Sequence, residues 1–378
     1  MQRIILCFFS SCFLLAACIG GQHENKEDKK VITDQLGNKK EDNKSSNAHE
    51  GWYKHYTGTV GGQAIALNLY YSKGINISGE NNARNGIYYN GNYCYISKGE
   101  IVDLSLSRVK GDSIDFVEDI PGANDDMLPH WDLYISDSSA KGKWVNKDGT
   151  KTYPIELRED YSGGAYQLDV VSADDTDFSS LMLLTPSAKM KSNDAIFLEK
   201  TLLHVLGDDT LGAKNIREFI KKSSKHYTRE NDSDNITLNA TCDYNANNIL
   251  AFDFSWYEFY AGAAHGNYWS KHVCIDMLRK KLWDLSDLIK IDTQQINQLL
   301  SQEARKYFKI SANDTLGNYL LVSEIPPTNN IIITGKGLTF CYDPGEIAGY
   351  AFGEVDLFLP YNKLSDMLKP DFKKRMNL

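Results

Sequence analysis

From Gly51 to about Asp160 apolar and polar residues alternate with a period of two, and short runs rich in Gly or Asn interrupt the alternation. Ala64–Tyr70 (AIALNLY), Tyr93–Ile96 (YCYI), Ile101–Leu106 (IVDLSL) and Ser113–Glu118 (SIDFVE) carry the pattern, with GGQ, NGN, SKGE and KGDS between runs. Side chains alternate faces along a strand, so this spacing buries one face and wets the other. Gly and Asn supply the backbone angles of tight hairpins. No long 3.6-residue apolar period intervenes. The segment therefore reads as an antiparallel all-β unit over 51–160, a meander that is curled or sandwiched. Gly86–Asn90 leading to Ile101–Leu104, and Gly142–Asn146 leading to Tyr153–Leu157, repeat a Gly-x-aromatic-x-Asn hairpin with unequal spacing, so repeated hairpins are expected rather than a propeller. The aromatics along these strands are expected either as cross-strand pairs or as a binding platform.

Beyond Gly163 the period changes. Tyr166–Val171 reads as a strand, Asn193–Leu206 and Leu211–Tyr227 as amphipathic helices, and Ile236–Asp243, Ile249–Tyr260 and Tyr268–Met277 as three strands. Thr293–Phe308 has Ile296, Leu299, Leu300, Ala304, Tyr307 and Phe308 at helical spacing. Strands are expected at 319–323, 331–333, 338–342 and 354–359, and a closing helix over Tyr361–Leu368. The expected class is α+β: an N-terminal antiparallel all-β domain (51–160), then an α+β domain (161–378) with an antiparallel sheet and segregated helices. Lys221, Lys222, Lys225 and His226 share the polar face of the second helix and read as a solvated face.

Ile4–Leu15 is an apolar run too short to span a bilayer, preceded by basic Arg3 and ending in Leu15-Ala16-Ala17-Cys18. Small residues before that Cys resemble a bacterial lipobox, which implies a signal peptide over 1–17 and lipid attachment at Cys18. Residues 19–50 hold six Lys and seven Asp/Glu among scattered apolar residues, the composition of a disordered tether. The expected location is the cell envelope, lipid-anchored, with the outer membrane favoured because Ile19 offers no obvious retention signal. Exported Cys94, Cys242, Cys274 and Cys341 read as buried thiols or as a bridge of undetermined pairing. No CxxC spacing exists. With 41 Lys+Arg against 50 Asp+Glu, the net charge of −9 opposes a broad nucleic-acid surface.

Three ordered segments resemble a known family. Ser255–Asn267 (SWYEFYAGAAHGN) is a strand ending in a GxAHG turn, Asp276–Leu288 (DMLRKKLWDLSDL) is a basic turn entering a Leu- and acid-rich run, and Gly337–Glu354 (GLTFCYDPGEIAGYAFGE) is the most specific. Over 163–370 they are similar to the RsiV-like extracellular domain of lysozyme-sensing anti-sigma factors, a domain related to modules beside peptidoglycan deacetylases. Only Met1-Gln2-Arg3 precede the apolar run, so no anti-sigma activity is expected. The resemblance implies capture of a protein or glycan ligand, with a lysozyme-like protein or a peptidoglycan fragment as partner, and Tyr260, His265, Gly266 and Glu346 as binding residues.

No GxSxG, Walker A or HExxH motif is present, and His265 has no ligand partner at metal spacing. No catalytic residue, metal or cofactor is expected. Asp125-Asp126, Asp174-Asp175 and Asp208-Asp209 read as loop acids, and Asn231–Asn235 as a solvated turn. The leading expectation is a non-enzymatic, lipid-anchored binding protein. The alternative is an accessory or catalytic factor acting on peptidoglycan, and a confined polar pocket with converging acids would favour it.

Overall fold

In a computed structural model the described residues are 48–73, 87–120, 128–175, 179–207, 212–226 and 235–378. Cys18, the signal and most of the tether, Asp125-Asp126, Asp208-Asp209 and Asn231–Asp234 lie outside them. So do the side chains of Asp174, Asp175, Lys225 and His226. Sheet dominates and helix is sparse.

A short strand β1 (Ala48–Glu50) precedes eight antiparallel strands that close into a barrel: β2 (Trp52–Val60), β3 (Gln63–Lys73), β4 (Ile87–Tyr95), β5 (Ile101–Lys110), β6 (Ser113–Asp119), β7 (His130–Ile135), β8 (Ser139–Val145) and β9 (Thr152–Glu159). Closure comes from β2 pairing with β9, Tyr56 opposite Glu159 and Val60 opposite Ile155. An eight-stranded barrel is just wide enough for side chains to fill it. Tyr56, Leu67, Leu69, Tyr93, Leu104, Phe116, Trp131 and Leu157 do so here. Glu118 is buried among them, and its Oε1 accepts from Tyr93 Oη (2.6 Å), Trp131 Nε1 (3.0 Å) and Trp144 Nε1 (2.7 Å). The expected meander is thus a closed barrel. Aromatics of its inward-facing row form cross-strand pairs, with Trp52 stacked on Tyr71 and Trp144 on Tyr153.

Next come β10 (Leu168–Asp175), β11 (Ser179–Pro186), α1 (Ser192–Leu206), α2 (Ile216–His226), β12 (Asn235–Ala246), β13 (Ile249–Phe259), β14 (Asn267–Asp276) and β15 (Lys281–Trp283). With β1 they form a seven-stranded sheet ordered β1-β10-β11-β12-β13-β14-β15. It is not wholly antiparallel: β11 and β12 pair in parallel, because the helical crossover α1–α2 returns the chain in the same direction. Leu198, Leu202, Phe219 and Ile220 of these helices pack on Phe252, Phe254 and Ile275 of one sheet face.

The opposite face receives α3 (Leu285–Leu288), α4 (Thr293–Tyr307), a three-stranded sheet of β16 (Ile331–Ile333), β17 (Gly337–Tyr342) and β18 (Val355–Pro360), and the closing helix α5 (Pro370–Met376). Several sequence expectations fail here. Residues 319–323 are bends that follow a 3-10 turn at Leu316–Asn318; Leu320 N bonds Leu316 O and no strand lies alongside. Residues 361–368 are successive tight turns, and the last helix starts only at Pro370, suited to the first helical turn. Ile296, Leu300 and Ala304 are buried as the α4 pattern predicts, but Tyr307 is exposed. Asp174 and Asp175 end strand β10 rather than occupying a loop. Cys94, Cys242, Cys274 and Cys341 are all free thiols. Among the described residues no helix is long and apolar enough to cross a membrane.

Barrel and sheet share polar and apolar contacts. Tyr70 Oη donates to Cys242 O and accepts from Cys242 N, both at 2.7 Å. Tyr53 and Tyr70, carried on barrel strands, belong to the core beneath the sheet.

Candidate functional site

Three of the four residues expected to bind, Tyr260, His265 and Gly266, follow β13, and Glu346 follows β17. Gly262 adopts φ +92°, open to glycine at no steric cost. A Cβ on Gly266 would lie 2.4 Å from the Tyr257 ring, so any larger residue here must displace that ring. The exposed His265 bonds through Nδ1 to Gly266 O (2.9 Å), and its ring stacks on Tyr350 at 4.8 Å. Tyr350 Oη donates to Gly266 O (3.0 Å). The GxAHG turn and the segment after β17 therefore meet in one surface. Tyr260 lies on its rim, 49% exposed, and Phe352 is 58% exposed. Glu346 stands apart from His265 in role: its Oε2 accepts from Asp343 N (3.0 Å), while Asp343 Oδ1 accepts from Ser270 N (2.9 Å), closing the 343–346 turn. Burial, with the nearby Asp343 and Glu354 charges, raises the Glu346 carboxyl above its ordinary value despite that backbone bond. On α2, Lys222 bonds Glu218 and Gly212 O rather than a shared anion site.

A second constellation lies beside this surface, on the sheet face turned toward β17 and β18. Asp253 and His272 are direct cross-strand partners on β13 and β14. In β12 the register slips: Cys242 opposes Phe252 and Tyr244 opposes Ala251, leaving Asp243 as the extra residue of a bulge. A bulge re-aims a side chain, and Asp243 Oδ2 comes within 3.8 Å of His272 Nδ1. Asp253 Oδ1 lies 3.8 Å from the same nitrogen. On the other side of the ring, His272 Nε2 and Glu354 Oε1 are 2.9 Å apart. Cys341 Sγ completes a group with His272 and Glu354 whose ligand-type atoms lie within 4.8 Å of one another. Cys341 and Asp356 are paired across β17 and β18.

The barrel supplies the facing wall. Asn68, Asn92, Asp103 and Asp119 stand in register across β3, β4, β5 and β6. Asn68 Nδ2 donates to Asn92 Oδ1 (2.8 Å), and Asn92 Nδ2 donates to Asp243 Oδ1 (3.1 Å). Asn330 fixes the opposite side. Its side chain accepts from His272 N (2.6 Å) and donates to Ser270 O (3.1 Å), and its carbonyl accepts from Cys341 N.

Asp103 and Asp356 keep accessible surface yet are surrounded by protein mass, so that surface opens into a recess rather than onto an outer face. Crowding of like charges in such a place favours protonation. Burial, then Asp243, Asp119 and Asp356, push the Asp103 carboxyl up to about 7. Burial and Glu354 push Asp356 up to about 6. Burial raises Asp253 well above the usual carboxylate range against the opposing pull of His272. Burial alone would lower the His272 imidazole, but the Cys341, Asp253 and Asp243 groups around it outweigh that and hold it well above 6.5. Burial works against ionised Glu354 too, but the His272 hydrogen bond and charge leave it below the ordinary value.

Of these residues sequence reasoning named only Cys341, as a buried thiol or bridge partner, and Glu354 only as the end of the 337–354 segment; Asp103, Asp243, Asp253, His272 and Asp356 were not singled out. The available signal was local: Asp253 interrupts the apolar run LAFDFSW, and Asp103 interrupts IVDLSL. Their convergence depends on a bulge and on pairings between distant strands, which no linear spacing displays.

Residues 286–362 match the family model described as "Protein of unknown function (DUF3298)", a span containing Cys341, Glu346, Tyr350, Glu354 and Asp356. Among curated proteins none matches. A member of the DUF3298 family from Bacteroides fragilis NCTC 9343 is similar in structure at TM-score 0.49 and 18% identity, over 57% of this chain and 99% of that one. A DUF3298 family protein from Pseudomonas aeruginosa PAO1 is similar at TM-score 0.41 and 17% identity, over 51% and 86%.

Proposed function

We propose that this chain is a lipid-anchored envelope protein, held through Cys18, whose RsiV-like α+β portion captures a protein or glycan ligand while the all-β portion acts as spacer and wall. The observation that carries this reading is the joining of the GxAHG turn to the 343–353 segment through Tyr350. The joined surface presents Tyr260, His265 and Phe352 as exposed contacts. Exposed aromatics give large contact area at low entropic cost, the chemistry expected of interface anchors. The net charge of −9 and the neighbouring acidic recess favour a cationic ligand such as a lysozyme-like protein. Calorimetric titration of the chain with a c-type lysozyme tests it. Sub-micromolar binding, worth more than about 8 kcal/mol, and weakened at least tenfold by Tyr260→Ala with Phe352→Ala, is expected. Absence of binding removes the ligand class.

One observation favours the alternative of a factor acting on peptidoglycan. The recess brings a histidine, a thiol and several carboxylates together, two of them raised to values suited to proton transfer near neutrality. Incubating the chain with peptidoglycan separates the two readings. No released or modified product, alongside retained lysozyme binding, leaves capture standing alone.

A further inference from the structure

We infer that His272 Nδ1, Asp243 Oδ2 and Asp253 Oδ1 form a binding site for one divalent transition-metal cation of the zinc or manganese type. These three atoms are buried without a hydrogen-bond partner, and the imidazole nitrogen lies 3.8 Å from each of the two carboxylate oxygens. His272 and Asp243 side chains are each only 6% exposed. Buried polar atoms are almost always satisfied, so three orphans at one point call for a missing partner.

The chemistry of the ring identifies that partner. Glu354 accepts hydrogen bonds, so the 2.9 Å contact places a proton on His272 Nε2. Without a second ring proton, Nδ1 turns its lone pair toward two carboxylate oxygens. That arrangement repels unless positive charge sits between them. A second ring proton does not supply a hydrogen bond, because 3.8 Å is too long for one. A cation bound by one imidazole nitrogen and two carboxylate oxygens satisfies all three atoms. An imidazole beside carboxylates suits zinc and manganese better than calcium, which takes oxygen ligands.

The surroundings have the outer contacts of such a site. Glu354 orients the ring from its far nitrogen, as carboxylates do behind metal-bound histidines. Asn92 holds the second oxygen of Asp243, and Asn330 fixes the backbone of His272. Asp103, which keeps accessible surface, lies alongside Asp243.

The test uses the full chain, stripped with a chelator and dialysed, then titrated calorimetrically with Zn²⁺, Mn²⁺ and Ca²⁺. One Zn²⁺ or Mn²⁺ per chain is expected, bound at least tenfold tighter than Ca²⁺. Asp253→Asn and Asp243→Asn keep the side-chain shape and should each weaken binding at least tenfold, with unchanged circular dichroism. Loading with Co²⁺ gives a spectroscopic readout that does not depend on affinity. Visible bands without an intense near-ultraviolet thiolate band support the Nδ1 site. A thiolate band places the ion on the Cys341–Glu354 side of the ring and overturns the assignment. Stoichiometry below one half, or asparagine variants that bind like the parent, overturns it as well.

Discussion

The barrel and the seven-stranded sheet solve the same problem in opposite ways. Both are built largely from antiparallel hairpins, and both must cover strand edges and bury apolar side chains. The barrel closes on itself, so β2 meets β9 and the interior is filled by its own side chains, with Glu118 tied to three donors. Closure removes edges and leaves little room for chemistry inside. The sheet stays open and needs other elements on both faces: α1 and α2 on one, and α3, α4, α5 and β16–β18 on the other. Where that second face is not filled with apolar side chains, it meets the polar row on the barrel wall. The difference teaches that the chemistry of this molecule gathers at the contact between a closed unit and an open one.

The strongest challenge to that contrast is whether the two halves unfold separately. Trp131→Ala in the barrel and Phe252→Ala in the sheet each delete a fully buried aromatic, at about 3–5 kcal/mol. Tyr70 bonds the backbone of Cys242, β1 pairs with β10, and Asn245 Nδ2 donates to Tyr53 Oη (2.9 Å). Both variants should therefore lower the midpoint of one shared transition in differential scanning calorimetry. Two transitions, only one of them shifted by each variant, would break the picture of a coupled pair.

A smaller effect probes the barrel interior alone. Glu118→Gln keeps the size of the side chain but replaces a charged acceptor of three hydrogen bonds. A loss of about 1–3 kcal/mol is expected in urea unfolding. An unchanged midpoint would show that the barrel core does not depend on this carboxylate.

Much of this contrast was legible in the sequence, for a physical reason. Alternation in IVDLSL and SIDFVE is local, and it marks β5 and β6 because one barrel face is packed and the other wetted. The helical spacing of Ile296, Leu300 and Ala304 marked α4 in the same way. The GxAHG turn was legible through its glycines, whose roles are backbone geometry at Gly262 and close approach at Gly266. Barrel closure was not, because a meander and a barrel share every local pattern and differ only in the pairing of β2 with β9. The recess was hidden for the same reason. Asp243 reaches His272 through a bulge, and Asp103 arrives from a strand 169 residues earlier in the chain than His272 (272 − 103).

The contact between the two halves also has a pH signature. His55 is buried on the outer barrel wall, bonded through Nδ1 to Asn68 Oδ1 at 2.9 Å. Burial lowers its imidazole below the ordinary 6.5, more than the Asn68 bond and the Asp160 charge raise it. The unfolded chain therefore takes up a proton first as pH falls. His55 contributes stability that is present above 6.5 and is lost as pH falls from 6.5 toward the lower folded value. Asp103 and Asp356, raised by burial, add stability as pH falls through the same window, so the His55 part is read as a difference: the urea midpoint of the parent should fall relative to that of His55→Gln between pH 8 and pH 5. A constant difference between the two proteins would remove His55 from the pH dependence.

The smallest expected effect lies at the open edge of the sheet, where a helix is pinned by one side chain. Lys280 sits in the turn between β14 and β15 at φ +53°, in the left-handed region. Its Nζ bonds Asp194 Oδ1 (2.5 Å), near the start of α1, and lies 5.4 Å from the centre of the Phe197 ring. Both partners remain partly exposed, so Lys280→Ala should cost only about 0.5–1 kcal/mol, and less at high salt. Lys280→Gly loses the same contacts but relieves a backbone conformation that costs a non-glycine residue about 1 kcal/mol. Its stability should therefore lie at or above that of Lys280→Ala. A glycine variant less stable than the alanine variant would show that the turn is held in its left-handed form at no cost. The edge of the open sheet would then be as rigidly specified as the closed wall of the barrel.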